Sequence, residues 1–322
     1  MNLLRQPGFW LTVLLVLAGG LLAPITQSAT VRESMLLVLM FVALASSLNI
    51  ILGYTGYVSF GHIVFFGLGG YVGFYFLSQQ GWSLAPAALM GGLAAALLAL
   101  LLGLSILRLR GAYFALATIG INEAMRALIT NLDIFGGPTG MSLHFNVYQE
   151  YGGATQALWI TYFAMFGLAL VVVVLSFAVK KSKFGLGLVS IREDEDAAMV
   201  IGVRAPRAKT WSFVLSAVIP GMIGTLFFFK NGNIEPGDAF RLHMSIETIV
   251  MVMLGGQGTL LGPVLGAAGY ERLRGFLLTS PTFKDLQLAF AGLALLIIVL
   301  FVPAGVVGWL RIRLPSLRRV LE

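Results

Sequence analysis

An all-α, polytopic membrane protein of about ten transmembrane helices is what the sequence predicts, on three observations. Of the 322 residues, 58% are hydrophobic and 11% charged, with a mean hydropathy of +0.91; a soluble domain carries roughly 25% charged residues. Apolar runs long enough to cross a hydrocarbon layer of roughly 30 Å recur along the whole chain. Lys and Arg, finally, gather in alternate connections between those runs, as they do when one side of a membrane is favoured for positive charge.

Hydropathy places helices near 9–26, 34–52, 58–77, 84–107, 111–130, 157–179, 209–229, 246–254 joined to 260–279, and 286–307. The first, within "MNLLRQPGFWLTVLLVLAGGLLAPITQSA", has the Arg5, apolar run and small residues near Ala29 of a secretory signal. More spans follow directly, so it reads better as a retained transmembrane helix. With the N-terminus cytoplasmic, the inner side receives Arg5, Arg108, Arg110, the Lys and Arg residues of 180–209, and Arg311, Arg313, Arg318 and Arg319. The outer side receives Arg32, Lys230, Arg241 and Lys284. This bias predicts that both termini are cytoplasmic. An even number of crossings follows, so 246–279 is expected to cross and return as two short helices. The chain reads as one transmembrane domain, 1–322, with a cytoplasmic segment at 180–209.

Composition also excludes. There is no Cys, so thiolate metal sites, disulfides and cysteine nucleophiles are absent. The net charge of +7 is spread over connecting loops, which argues against nucleic acid as a partner. None of the six lysines follows a glycine, so no phosphate-binding G-x-x-x-x-G-K-[ST] loop exists. No His–Glu metal motif or nucleophile elbow appears, and no catalytic or metal-ligating residue is assigned.

Four features carry functional information. The charged segment "KKSKFGLGLVSIREDEDAAMVIGVRAPRAK" predicts a helix from Ser190, as N-cap, to Ile201, with Gly202 at its C-terminal cap and Pro206 beyond. Arg192 and Asp196 are spaced to pair along it, and Ala197, Ala198, Val200 and Ile201 give it a small apolar end. Such a helix suits docking on a partner, against the plainer reading of a solvated loop. The span 111–130 holds Asn122, Glu123 and Arg126; the last two lie three apart and predict a self-neutralised pair near the outer interface, a proton relay being the alternative. Asn49 predicts an interhelical hydrogen bond, His62 either that or a pathway lining, and Glu247 a water-facing helix end. Two Gly-interrupted stretches, "LGYTGYVSFGHIVFFGLGGYVG" (52–73) and "MLGGQGTLLGPVLGAAGY" (253–270), fall in opposite halves, the pattern of discontinuous helices flanking a path. The loop 131–156, free of Lys and Arg, is either a connector or a surface over the pore mouth.

These motifs together resemble a known family. "GYTGYVSFGHIVFFGLGGYVG", "RLRGAYFALATIGINEAMR" with "GGPTGM" after it, "SIREDEDAAMVIGV" and "LGGQGTLLGPVLGA" are similar, in the same order over about residues 35 to 310, to permease subunits of branched-chain amino acid ABC importers of the Liv type, and there to the M-like subunit. The resemblance implies a bacterial inner-membrane pore made with a second, H-like permease, two cytoplasmic ATPases and a periplasmic binding protein, working by alternating access. ATP and Mg²⁺ would sit on the partner subunits and no cofactor on this chain. It further implies that Arg192, Glu195, Asp196, Ala197, Ala198 and Gly202 form the segment coupled to the ATPase. Tyr54, Thr55, Tyr57, Ser59 and His62 from one half, with Gln257 and Thr259 from the other, are the expected lining of the substrate path. Urea and short-amide importers use similar permeases, and an ion-coupled carrier relying on Glu123 is the more distant alternative.

Overall fold

The computed structural model describes residues 7–279 and 305–313, with Ala289, Gly292, Leu293 and Leu296 between them. The expected span 286–307 lies largely outside the described residues. Five helices among those described are long and apolar enough to cross a membrane: α1 (Pro7–Thr26), α2 (Ala29–Thr55), α4 (Leu84–Ile106), α7 (Ala154–Lys181) and α10 (Ala205–Asn231). The shorter apolar α3 (Ile63–Ser78) and the less apolar α5 (Ala112–Thr130) lie between them. The chain is a multi-pass, all-α membrane protein.

The centre of the bundle is α2, whose apolar window is 94% buried. It is hydrophobic around its whole circumference, as a helix surrounded by others must be, and α1, α7, α10, α12 (Leu242–Gly255) and α13 (Leu261–Thr279) pack about it. It starts five residues before the expected position because its first, charged turns find partners: Glu33 pairs with Lys230, and the Arg32 guanidinium lies 5.1 Å from the Trp159 ring. Beside it, α3, α4 and α10 form a tight trio. The face α4 turns inward is small, with Ala87, Ala88, Gly91, Ala95, Ala99 and Gly103, whereas Leu89, Leu93, Leu97, Leu101 and Leu104 point away. This is the arrangement of a helix packed on protein through small residues and on lipid through large ones. Backbones touch at Gly69, Gly91 and Gly221; a methyl group on Gly69 would overlap the Gly221 Cα, and the Thr225 hydroxyl donates to the Gly69 carbonyl at 3.0 Å.

Helix α3 begins at Ile63, not near 58, because side chains from other elements capture the amides that a continuing helix would use. The Phe60 N–H donates to Thr118 Oγ1 (3.1 Å) and the Ile63 N–H to Ser245 Oγ (3.1 Å). The second break, 256–260, separates α12 from α13, where Thr259 Oγ1 accepts the Gly262 N–H at 2.9 Å as an N-cap. Asn49, in the last turns of α2, ties that helix to the second break: its Nδ2 donates to the Thr259 carbonyl and its Oδ1 accepts from the Gly258 N–H, both at 2.9 Å. At the other end of the bundle the loop 131–153 contains strand β1 (Met141–Ser142), helix α6 (Asn146–Gln149) and two short 3-10 turns. The strand pairs antiparallel with β2 (Asn233–Ile234), Met141 opposite Ile234, which ties this loop to the one after α10. The short α11 (Pro236–Ala239) follows β2, and α14 (Gly305–Arg313) is the last described helix.

Two expectations are corrected. Glu247 does not face water: only 2% exposed, it lies 3.5 Å from Arg274 and accepts from the Tyr270 hydroxyl at 3.4 Å. The segment 180–209 is not one helix from Ser190 but two, α8 (Lys183–Glu193) and α9 (Glu195–Val200). Ser190 sits inside α8 with its hydroxyl on the Leu186 carbonyl (3.0 Å). The N-cap is Asp194, whose Oδ1 accepts the amides of Asp196 (2.9 Å) and Ala197 (3.0 Å). A carboxylate accepting two free amides at a helix start is a stronger stop signal than a serine.

Candidate functional site: the seat of the α8–α9 segment

The two breaks and the charged segment, read from the sequence as separate features, meet in one place. Lys209, in the first turns of α10, is 2% exposed. Its Nζ donates to Glu195 Oε1 at 2.7 Å and to the Tyr57 hydroxyl at 2.9 Å, and that hydroxyl donates to Glu195 Oε2 at 2.7 Å. The triangle closes with each polar group in use, the condition under which a buried ion pair is tolerated. Arg110, from the turn between α4 and α5, adds a second cation: it forms a bidentate pair with Asp196 at 3.0 and 2.8 Å and lies 3.8 Å from Glu195.

The electrostatics follow from these contacts. Burial raises the Glu195 carboxyl, but hydrogen bonds from Lys209 and Tyr57 and the charges of Lys209 and Arg110 outweigh it, so its pKa lies below the usual carboxylate value. The hydrogen bonds from Arg110, reinforced by its charge, lower Asp196 as well. Burial, together with the neighbouring Glu195, raises the Tyr57 phenol, which therefore stays a donor. Glu195 and Asp196 are both ionised at neutral pH, and the seat is held by charge from two acids and two bases.

Arg192 forms the second point of attachment. Its Nη1 donates to the Gly53 carbonyl at 2.9 Å, while Nε and Nη2 hold Glu193 at 3.2 and 2.8 Å. The hollow it enters is glycine-walled: a Cβ on Gly56 would stand 3.0 Å from the Arg192 Cγ, and one on Gly258 would stand 2.7 Å from Nη1. Both glycines have positive φ, +76° and +74°, so the backbone and the space make the same demand. The expected pairing of Arg192 with Asp196 does not form; the turn at Asp194 separates them onto two helices, and each finds its partner elsewhere in the bundle.

The remaining expected residues are dispersed. Tyr54 is buried against α7, its hydroxyl 2.8 Å from Ser176 Oγ, and Thr55 donates to the Ile51 carbonyl at 2.6 Å. Ser59 and His62 are buried in the first break, the His62 ring edge-on to Phe65 with centroids 5.5 Å apart; the Ser216 backbone faces the ring without meeting hydrogen-bond geometry. Gln257 is exposed, and Thr259 is occupied as the α13 cap. Of the expected path residues only Tyr57 joins the seat. Ala198 is buried beneath α9 with Ile191 and Ala205, Ala197 faces outward, and Gly202 turns the chain at φ +94°. Beyond the seat Met199, Val200 and Ile201 project, 40%, 88% and 74% exposed. Lys209 and Arg110 were not anticipated; the available signal was a lysine opening an apolar run, which in a membrane protein asks for a partner. Among the described residues no three His, Asp or Glu side chains converge as a metal site requires.

A family model described as "Branched-chain amino acid transport system / permease component" matches residues 30–300. The high-affinity branched-chain amino acid transport system permease protein LivM of Escherichia coli K12 is 32% identical over 289 residues, 80% of this chain and 65% of that protein. The LivM protein of Salmonella typhimurium is 31% identical over 260 residues, 71% of this chain and 59% of its own. The chain thus spans about three-fifths of the length of these relatives. The LivH permease protein of Escherichia coli K12 is 23% identical over 299 residues, 83% of this chain and 91% of that protein. No solved structure matches the chain.

Proposed function

Since the chain belongs to the permease-component family of branched-chain amino acid transport systems, we propose that it is one membrane-spanning subunit of an ABC importer carrying branched-chain or related apolar amino acids into the cytoplasm. The observation that carries this reading is the seat itself: a charged segment anchored to two helix breaks and to the α4–α5 turn, with an apolar tip, Met199 to Ile201, left projecting. An exposed apolar cluster rimmed by charge is a docking surface. Its partner in this reading is a cytoplasmic ATPase that holds the ATP and Mg²⁺.

Mechanistically, the α8–α9 segment is the handle. When two ATPases close on their nucleotides, the force enters at the tip, passes through Glu195 and Asp196 to Lys209 and Arg110, and reaches α10 and α5. Through Arg192 it reaches both breaks at once. The permease, paired with an H-like second subunit, then alternates between inward- and outward-facing states, and a periplasmic binding protein delivers the amino acid. Both termini lie in the cytoplasm in this arrangement, and the membrane is the bacterial inner membrane.

The test is reconstitution of this chain with its second permease, ATPases and binding protein in vesicles. Glu195→Lys sets three cations against one another in the seat, and it is expected to reduce ligand-stimulated ATPase activity and leucine uptake at least about tenfold, the effect of leaving buried charge unpaired, while membrane insertion persists. Unaltered stimulation would refute the handle, and uptake that continued without ATPase subunits would refute the importer.

A further inference from the structure

Helix α5 breaks the rule its neighbours obey. It is anchored by one narrow stripe, with Phe114 edge-on to Tyr57, Thr118 on the first break, and Asn122 Nδ2 donating to the Phe240 carbonyl at 2.9 Å. The rest of its surface faces outward, yet it is not among the helices apolar enough to count as plain membrane spans. Where α4 presents a row of leucines, α5 presents a mixed surface, with Tyr113, Leu116 and Leu128 exposed beside Gly120, Glu123, Ala124, Arg126 and Ala127. Glu123 and Arg126 pair at 3.4 Å and are each about half exposed, 54% and 50%. At 1.5 Å per residue, Glu123 stands roughly 17 Å from the start of α5, nearer mid-depth in a layer of roughly 30 Å than the outer interface expected from the sequence. Charged side chains at that depth face a watery cavity or another protein, not lipid. The helix also starts two residues after Arg110, which the α8–α9 segment grips through Asp196.

Building on the importer reading above, we propose that the outward face of α5 lines the translocation path, and that Glu123 and Arg126 take the α-ammonium and α-carboxylate of a zwitterionic amino acid in transit. The complementarity is direct: one anion and one cation, a few ångströms apart on a helix face, match the two charges of an amino acid. Leu116, about two turns below Glu123 and 65% exposed, offers apolar surface towards the side chain. The long contact between Glu123 and Arg126 opens at little cost, since both groups are already half-exposed.

The chain has no Cys, so single-thiol variants need no prior engineering. In the assembled importer in membrane vesicles, Gly120→Cys and Ala127→Cys are compared with Leu93→Cys and Leu97→Cys of α4, using a charged, membrane-impermeant thiol reagent and mass spectrometry of this chain. Nothing lies within 4 Å of a Cβ placed on Gly120, so that variant fits without repacking. A thiol in lipid does not ionise, so the α5 positions are expected to react at least about tenfold faster than those of α4. Leucine delivered by the binding protein should slow the reaction at Ala127→Cys severalfold, leucinamide should not, and adding Arg126→Gln should abolish the slowing. Equal reactivity of the two helices would overturn the path assignment. Labelling with no protection by leucine, or protection that survives Arg126→Gln, would overturn the zwitterion assignment alone. If the unmodified importer carries neutral amides and no amino acid, the proposed substrate falls, and the labelling pattern still decides whether α5 lines the path.

Discussion

Asp194 shows how much of the segment's shape rests on one side chain. It ends α8 and starts α9, its carboxylate accepting two amides that otherwise lack a partner. Asp194→Ala is expected to cost about 1 kcal/mol of local stability, and Asp194→Asn a few tenths, since the amide oxygen still accepts. Ser190→Ala should be near neutral, because its hydroxyl only back-bonds within α8. Hydrogen exchange at the amides of Asp196 and Ala197 measures the difference; equal protection in the Asp194→Ala and Ser190→Ala variants would contradict the cap. Both residues were legible as cap candidates, and their order was not. A sequence shows which side chains can accept an amide, but the choice here depends on Glu195 reaching Lys209, a contact across 14 residues that no local pattern encodes.

Among elements, the α3–α4–α10 trio depends on three backbones approaching through glycine. Gly69→Ala inserts a methyl group into the Gly221 backbone, which cannot yield as a side-chain tip would. Overpacking of this kind is expected to destabilise the chain by about 1–3 kcal/mol or more. Gly167→Ala on α7, where a Cβ meets nothing within 4 Å, serves as the control and should be neutral. Thermal unfolding in detergent separates the two, and a shift of similar size in both would argue against close packing as the cause. The helices themselves were readable because a span needs only length and apolarity, and the expected ranges fall within a few residues of α1, α4, α7 and α10. The breaks were readable as glycine clusters. What they do was less so: the glycines look like an interruption along the path, whereas Gly53, Gly56 and Gly258 meet Asn49 or Arg192, and Gly61, Gly69 and Gly73 meet Thr118, Gly221 and Thr225 of neighbouring helices. Burial of Glu247 escaped for the same reason, since its cover, Arg274, comes from the following helix.

Across the whole molecule, charge placement and packing describe one machine part: a lipid-facing shell of leucines, a small-residue interior, a polar helix held at its end, and a charged seat joining them. The two loops at the far end, tied by the β1–β2 pair, are the counterweight to the seat. The burial of Lys209 has a consequence of another kind, in reactivity. A primary amine at 2% exposure, with its hydrogens held by Glu195 and Tyr57, is hidden from acylating reagents, whereas Lys183 on the same segment is exposed. In the resting complex an amine-directed ester should therefore mark Lys183 about a hundredfold faster than Lys209, as expected when acylation needs an accessible amine; comparable labelling would contradict a closed seat. In the proposed coupling, lifting of the segment during the partner's ATP turnover would uncover that amine and make it a chemical clock for how often the handle moves.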